Sequence, residues 1–460
     1  MNGPNFGWFG IIRLGLVQTA LGAIIVLTTS TINRVMVVEL ALPAMLPGIL
    51  VALHHIVQLS RPHFGYGSDV GRRRTPWIIG GMLVLAAGGI LASVATALMT
   101  YSTAQGTALA VLAFVLIGFG VGSAGTSLLT LMAKRVEPQR KAAAATVVWI
   151  MMIAGFAVTA GLAGHFLDPY SPARLILVTA VVAGCALLVT VLSLHGLEGR
   201  APGQEPVGHA EAQSLSSEAA GMPRFREALA EVWQETEARR FTLFVFVSML
   251  AYSAQDLILE PYAGMVFGMT PGESTQLSGV QHGGVLVGML LVAVTGSLGR
   301  SAREAVLRRW VVGGCLASGV ALAGIAWGGF RADSWPLASN VFCLGVANGA
   351  FAVAAIASMM MLASHGQAHR EGLRMGLWGA AQAIAFGLGG FVGTVAFDLA
   401  RYVLEQPAIA YSLVFSIEAC VFVLAAWLGL TALRSDPARS PRDLPSFGEI
   451  AMVNVMDRST

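Results

Sequence analysis

Twelve separate runs of apolar residues divide this chain, and that pattern limits its fold more than any other feature. A bilayer core asks for about 20 residues of helix per crossing. The runs fall at about 11–33, 41–60, 76–99, 107–132, 142–166, 173–196, 241–263, 277–298, 310–330, 335–362, 375–399 and 408–433. Of 460 residues, 55% are apolar and only 12% charged, which one soluble core of this length could not hide. The expected class is an all-α polytopic membrane protein. The N-terminal MNGPNFGWFGIIRLGLVQTALG continues past the length of a signal-peptide core without a convincing cleavage site, so it reads as the first spanning helix. The 54 glycines need not mark loops, because glycine lets membrane helices approach closely. Cys185, Cys315, Cys343 and Cys420 lie in separate apolar runs with no spacing suited to zinc or redox chemistry, and no metal site is expected.

Basic residues orient the helices. If both termini are cytoplasmic, the loop after helix 2 holds Arg61, Arg72, Arg73 and Arg74, and the loop after helix 4 holds Lys134, Arg135, Arg140 and Lys141. The loop after helix 8 holds Arg300, Arg303, Arg308 and Arg309, and the loop after helix 10 holds Arg370 and Arg374. Fourteen basic residues thus fall on this face, against four (Arg34, Arg174, Arg331, Arg401) on the other, and the positive-inside rule selects that topology.

Four segments follow: residues 1–196, a six-helix half; 197–240, a cytoplasmic linker; 241–433, a second six-helix half; and 434–460, a cytoplasmic tail. The linker begins polar and rich in Gly, Pro and Ser. From Pro223 to Arg240, Phe225, Leu229, Val232 and Trp233 recur at helical spacing, as in an amphipathic helix on the membrane surface or a solvated helix packed on the loops. The halves repeat. A shift of 229 residues places Met132 on Met361, Trp149 on Trp378, Gly161 on Gly390 and Gly164 on Gly393, and also Gly67 and Ser68 over Gly296 and Ser297. Two parallel six-helix halves joined by a long cytoplasmic linker resemble the layout of the major facilitator superfamily, which implies a twelve-helix bundle.

The segment HHIVQLSRPHFGYGSDVGRRRTPW supports the same resemblance. Its glycines sit between membrane helices rather than between a strand and a helix, so a phosphate cradle is a poor fit. Gly65, Asp69, Gly71, Arg72, Arg73 and Arg74 instead resemble the superfamily signature between helices 2 and 3, with one residue missing between Asp69 and Gly71. Asp69 can cap helix 3 while the arginines anchor in the headgroup layer.

Ionisable residues inside the membrane are few, and each is a candidate site. Asp256 and Glu260, in YSAQDLILEPY, lie one turn apart on one face of helix 7. Arg34 and Glu39 sit just beyond helix 1, and Glu418 falls near the middle of helix 12. The outer residues are expected to be solvated at the interface, paired between helices, or functional. Glu418 is expected to be protonated and hydrogen-bonded if it has no functional role. Three histidines are candidate ligands for the magnesium of a tetrapyrrole: adjacent His54 and His55, whose side chains leave helix 2 about 100° apart, and His282, among small residues in LSGVQHGGVLVG. A hydrogen bond to a neighbouring helix is the simpler account of each.

NRVMVVELALPA (33–44) and QDLILEPYAGMVFGMTPGESTQLSG (255–279) resemble characteristic segments of the PucC/LhaA family, the pigment-associated branch of the superfamily in phototrophic bacteria. The resemblance runs through most of the helical core. It implies a non-catalytic assembly factor for light-harvesting antenna complexes, located in the photosynthetic intracytoplasmic membrane. Its implied cargo is bacteriochlorophyll. Its implied partners are antenna polypeptides, the pigment-synthesis machinery and membrane lipid, with no nucleic acid. The alternative is a secondary transporter of a small solute. A pigment-synthesis enzyme is a third reading, but no Asp-rich prenyl-diphosphate site, nucleotide fingerprint or nucleophile with its base is recognisable.

Overall fold

The computed structural model describes residues 6–61, 73–137, 140–198, 233–296, 303–364 and 371–433. Among the described residues twelve helices form the bundle, as the hydropathy predicts. The first half comprises α1 (Trp8–Glu39), α2 (Met45–Val57), α3 (Thr75–Met99), α4 (Thr103–Arg135), α5 (Lys141–Leu167) and α6 (Pro172–Leu194). The second comprises α7 (Thr236–Phe267), α8 (Pro271–Gly296), α9 (Arg303–Gly328), α10 (Leu337–Ser364), α11 (Glu371–Leu404) and α12 (Pro407–Ala432). Eleven are long and apolar enough to cross a membrane, and α2 is shorter.

Several expected boundaries change: α7, α8 and α9 start at Thr236, Pro271 and Arg303 rather than 241, 277 and 310, α11 runs on to Leu404 rather than 399, and two further changes bear on the site. Helix 1 does not stop before Arg34: π-helical turns at Leu27–Thr31 and Val35–Glu39 carry it onward and place Arg34 and Glu39 on the helix itself. The Thr28 and Thr29 hydroxyls bond back to the carbonyls of Ile24 and Ile25, a competition with the regular backbone ladder that accompanies the wider turns. Helix 2 starts at Met45 rather than 41, because Ala41 takes a left-handed conformation (φ 50°) and breaks the chain direction. Gly65, Asp69, Gly71 and Arg72, most of the expected surface helix and the tail lie outside the described residues.

Within the first half, α3 packs on α4 and α6, and α1 packs on α5 and α6. Within the second, α9 packs on α10 and α12, and α7 on α11 and α12. Four pairs join the halves: α5 with α8, α2 with α11, α1 with α7, and α1 with α8. The α5–α8 pair is so close that a Cβ on Gly164 would lie 2.6 Å from the carbonyl oxygen of Gly272, so only glycine fits there. The residues matched by the 229-residue shift do not share neighbours. Gly164 faces α8, whereas Gly393 faces Ala254 on α7. Trp378 is buried against Phe241, while Trp149 lies partly buried beside Ile153 and Val285.

Helix ends are capped by long-range contacts. The carboxylate of Glu198, beyond α6, accepts from the backbone N–H groups of Arg74 (2.7 Å) and Thr75 (2.9 Å) at the start of α3. At the end of the bundle away from the termini, two caps cross between the halves. Asp398 on α11 accepts from the N–H groups of Ala44 (3.0 Å) and Met45 (2.7 Å) at the start of α2. Asp168, following α5, accepts from the Thr270 hydroxyl (2.7 Å) and the Gly272 N–H (3.2 Å) at the start of α8. Each carboxylate answers free amides and the positive helix end at once.

Candidate functional site

Pro261 opens the site. Having no N–H, it leaves the carbonyl of Leu257 without its helical partner. Asn33, on α1 of the other half, donates its side-chain amide to that carbonyl at 2.6 Å. The proline in α7 is thus answered across the interface, as membrane helices require when a backbone group is freed.

Around this contact lies a buried polar seam between α1, α7 and α8. The Ser30 hydroxyl donates to Glu260 Oε1 and approaches Ser278 Oγ at 3.2 Å, and Thr31 and Thr275 share a hydroxyl contact of 3.1 Å. Nearer the helix ends, Arg34 is 2% exposed. Its guanidinium donates to Glu39 and, at 2.6 Å, to the carbonyl of Met269 beyond α7. That carbonyl is presented by the left-handed Gly268 (φ 67°), which ends α7. The arginine crosses α7 over Gly264, where a Cβ would sit 2.9 Å from its Nη2. Tyr170, in the α5–α6 connection, lies in the field of Glu39 and Arg34. Burial foremost, with Glu39 adding and Arg34 opposing, pushes its hydroxyl up to about 12.

The seam gathers four of the charged candidates and revises the account of them. Arg34 and Glu260 are buried rather than solvated at an interface. Glu260 and Asp256 face α8 together, as their spacing predicts. Asp256 lies beside Gln281, one turn from Ser278, and in the field of Tyr252 and Glu418. Glu418 is 5% exposed and neither of its carboxyl oxygens has a hydrogen-bond partner among the described residues, contrary to the hydrogen-bonded expectation. Ser30, Thr31, Asn33, Thr275, Ser278 and Gln281 were not legible as site residues, since hydroxyls and amides recur throughout the helices. The TPGE run at 270–273 did carry a signal: Thr270 and Glu273 form a reciprocal capping box (2.9 and 3.1 Å) that fixes the start of α8.

The histidines separate into three environments. His54 is buried and both ring nitrogens are engaged, Nδ1 with the Val51 carbonyl (3.2 Å) and Nε2 with the Gln58 amide (2.8 Å). Despite leaving the helix in different directions, the His54 and His55 rings lie 4.3 Å apart, and His55 reaches toward Phe386 on α11. His282 is half-buried, edge-on to Phe156 of α5 at 5.0 Å. Its Nδ1 donates to the Ser278 carbonyl at 2.8 Å, the tautomer that leaves Nε2 as an acceptor for a metal ion. Among the described residues no group of three or more His, Cys, Asp or Glu side chains could hold a metal. Arg73 and Arg74, the described part of the loop signature, lie at the start of α3. A recess of 620 Å³ lined by residues including Pro43, Met45, Asp398 and Arg401 lies beside the α2 cap, outside the seam.

Comparison with known proteins places this geometry. The fold is similar to that of a D-xylose-proton symporter, with a TM-score of 0.70, 14% identity, and coverage of 94% of this chain and 98% of that one. The sequence is 52% identical over 439 residues to the bacteriochlorophyll synthase 44.5 kDa chain of Rhodobacter capsulatus, spanning 95% of this chain and 98% of that protein. It is 29% identical over 442 residues to protein PucC of Rhodobacter capsulatus, spanning 92% of each. Residues 31–436 match the family described as PUCC protein. The chain therefore belongs to the PUCC protein family, as a multi-pass membrane protein with the fold of the major facilitator superfamily.

Proposed function

We propose that this protein is a non-catalytic assembly factor for light-harvesting antenna complexes, binding bacteriochlorophyll and delivering it to antenna polypeptides. The observation that carries the reading is the near end-to-end likeness, at 52% identity, to a protein whose name ties it to bacteriochlorophyll. His282 supports it. Its Nε2 is the natural ligand for a chlorin magnesium, since Nδ1 is committed to the Ser278 carbonyl and Phe156 offers an apolar edge beside the ring. The excess of basic residues in alternate loops supports cytoplasmic termini in the photosynthetic intracytoplasmic membrane.

Deleting the gene in its photosynthetic host separates this reading from an enzymatic one. Assembled antenna complexes should fall several-fold while extractable bacteriochlorophyll or its precursors remain. Loss of pigment synthesis itself, with antenna polypeptides still able to take up supplied pigment, would contradict the assembly role. A second reading, transport of a small solute, is favoured by the buried carboxyl of Glu260 between the halves. Gradient-dependent uptake into vesicles that is abolished by Asp256→Asn would promote it.

A further inference from the structure

Glu260 is 2% exposed, and its Oε2 has no hydrogen-bond partner among the described residues. Its other oxygen accepts from Ser30. Arg34 does not pair with it: the guanidinium donates to Glu39 and to the Met269 carbonyl instead. A carboxylate at this depth, about two helical turns from the end of α7, is costly unless its charge is neutralised. A proton would neutralise it, and on Oε1 it could be given to Ser30 Oγ, but Oε2 would still be buried without a partner. A cation would satisfy the charge and the free lone pairs together.

The surroundings fit such an ion. Ser30 Oγ and Ser278 Oγ lie 3.2 Å apart beside the carboxylate, and the Thr31 and Thr275 hydroxyls form the next contact along the same two helices. All of these donors are hard oxygens, and none is nitrogen or sulfur. That donor set disfavours zinc, copper and iron. Calcium sites commonly draw on several carboxylates, and here there is one. A single carboxylate with neutral hydroxyls suits a monovalent ion, since the filled site is then neutral overall.

We propose that Glu260, Ser30 and Ser278 form a sodium site bridging the two halves. Ser30 comes from α1 of the first half, and Glu260 and Ser278 come from α7 and α8 of the second. Bound Na+ therefore holds the halves together, and its loss loosens them. Ser278 also ties the site to His282, because its carbonyl holds the imidazole while its hydroxyl faces the ion. The sodium site stands independently of what His282 binds.

The test is thermal unfolding of the detergent-purified full chain in NaCl, KCl or choline chloride at equal ionic strength, with binding of radioactive Na+ measured in parallel. Na+ should raise the midpoint saturably by about 2–4 °C, K+ and choline should not, and one Na+ should bind per chain. Glu260→Gln and Ser278→Ala should each abolish both the shift and the binding. Absence of Na+ binding to the unmutated protein, or an equal shift in all three salts, would overturn the proposal. So would a folded Glu260→Gln protein that still responds to Na+. If Glu260→Gln does not fold, Ser278→Ala and the unmutated protein decide the matter. A Glu260→Gln protein as stable as the parent, with neither responding to Na+, would assign the site to a proton instead.

Discussion

Helices α5 and α8 meet backbone to backbone at Gly164 and Gly272, yet about three turns along the same pair Trp149, Met152 and Ile153 face Val285 and Met289. The α2–α11 pair shows the contrast less sharply. Gly48 lies directly against Thr394 near the end away from the termini, and further along a Cβ on Gly387 would lie 3.4 Å from His55 Cβ, with the His55 and Phe386 ring centroids at 6.4 Å, so a larger ring shares the contact with a glycine. Glycine contacts let backbones approach closely, while large side chains keep helices at about 8–10 Å. The closest backbone contact between α5 and α8 thus lies away from the termini, and the cross-half hydrogen bonds of Asp168, Asp398, Asn33 and Arg34 lie toward that same end.

The largest effect that breaks this contrast is expected from Gly164→Leu. Its side chain would collide with the backbone of Gly272, and overpacking at a backbone contact costs about 3 kcal/mol or more. Thermal unfolding should show a large fall in midpoint or loss of the folded protein, and a parental midpoint would disprove the close approach. Removing a cross-half cap should cost less. Asp168→Ala and Asp398→Ala each withdraw a carboxylate from a helix start and should destabilise by about 1–2 kcal/mol, read by the same measurement. Combined, they should add, because they lie at separate helix pairs. The smallest effect belongs to Gly161→Ala. A Cβ there meets nothing within 4 Å, so the change should be neutral or stabilising by up to about 1 kcal/mol through helix propensity.

Much of this was readable before the structure. Hydropathy located all twelve helices, and the 229-residue repeat predicted two halves. The charge inventory singled out Arg34, Glu39, Asp256 and Glu260, which the fold gathers into one seam. What could not be read was the partner of each. Asn33 answers a carbonyl freed by Pro261, 228 positions later in the chain, a pairing that only packing creates. The π-helical turns hid the true end of α1, because charged residues after an apolar run look like a loop when the helix is taken as regular. Gly164 and Gly393 align in sequence but face α8 and α7 respectively, since one turns toward the other half and its counterpart toward a helix of its own half.

The central claim is that the protein carries bacteriochlorophyll, and the most direct measurement is the pigment-to-protein ratio of the chain purified in mild detergent from a pigment-making host, read from its absorption spectrum. The account predicts bacteriochlorophyll co-eluting in a fixed ratio with the parental protein, together with a several-fold lower ratio in a His282→Phe variant that still inserts into the membrane. An unchanged ratio in that variant would remove His282 as the ligand, and a parental protein free of both pigment and antenna polypeptide would contradict the account.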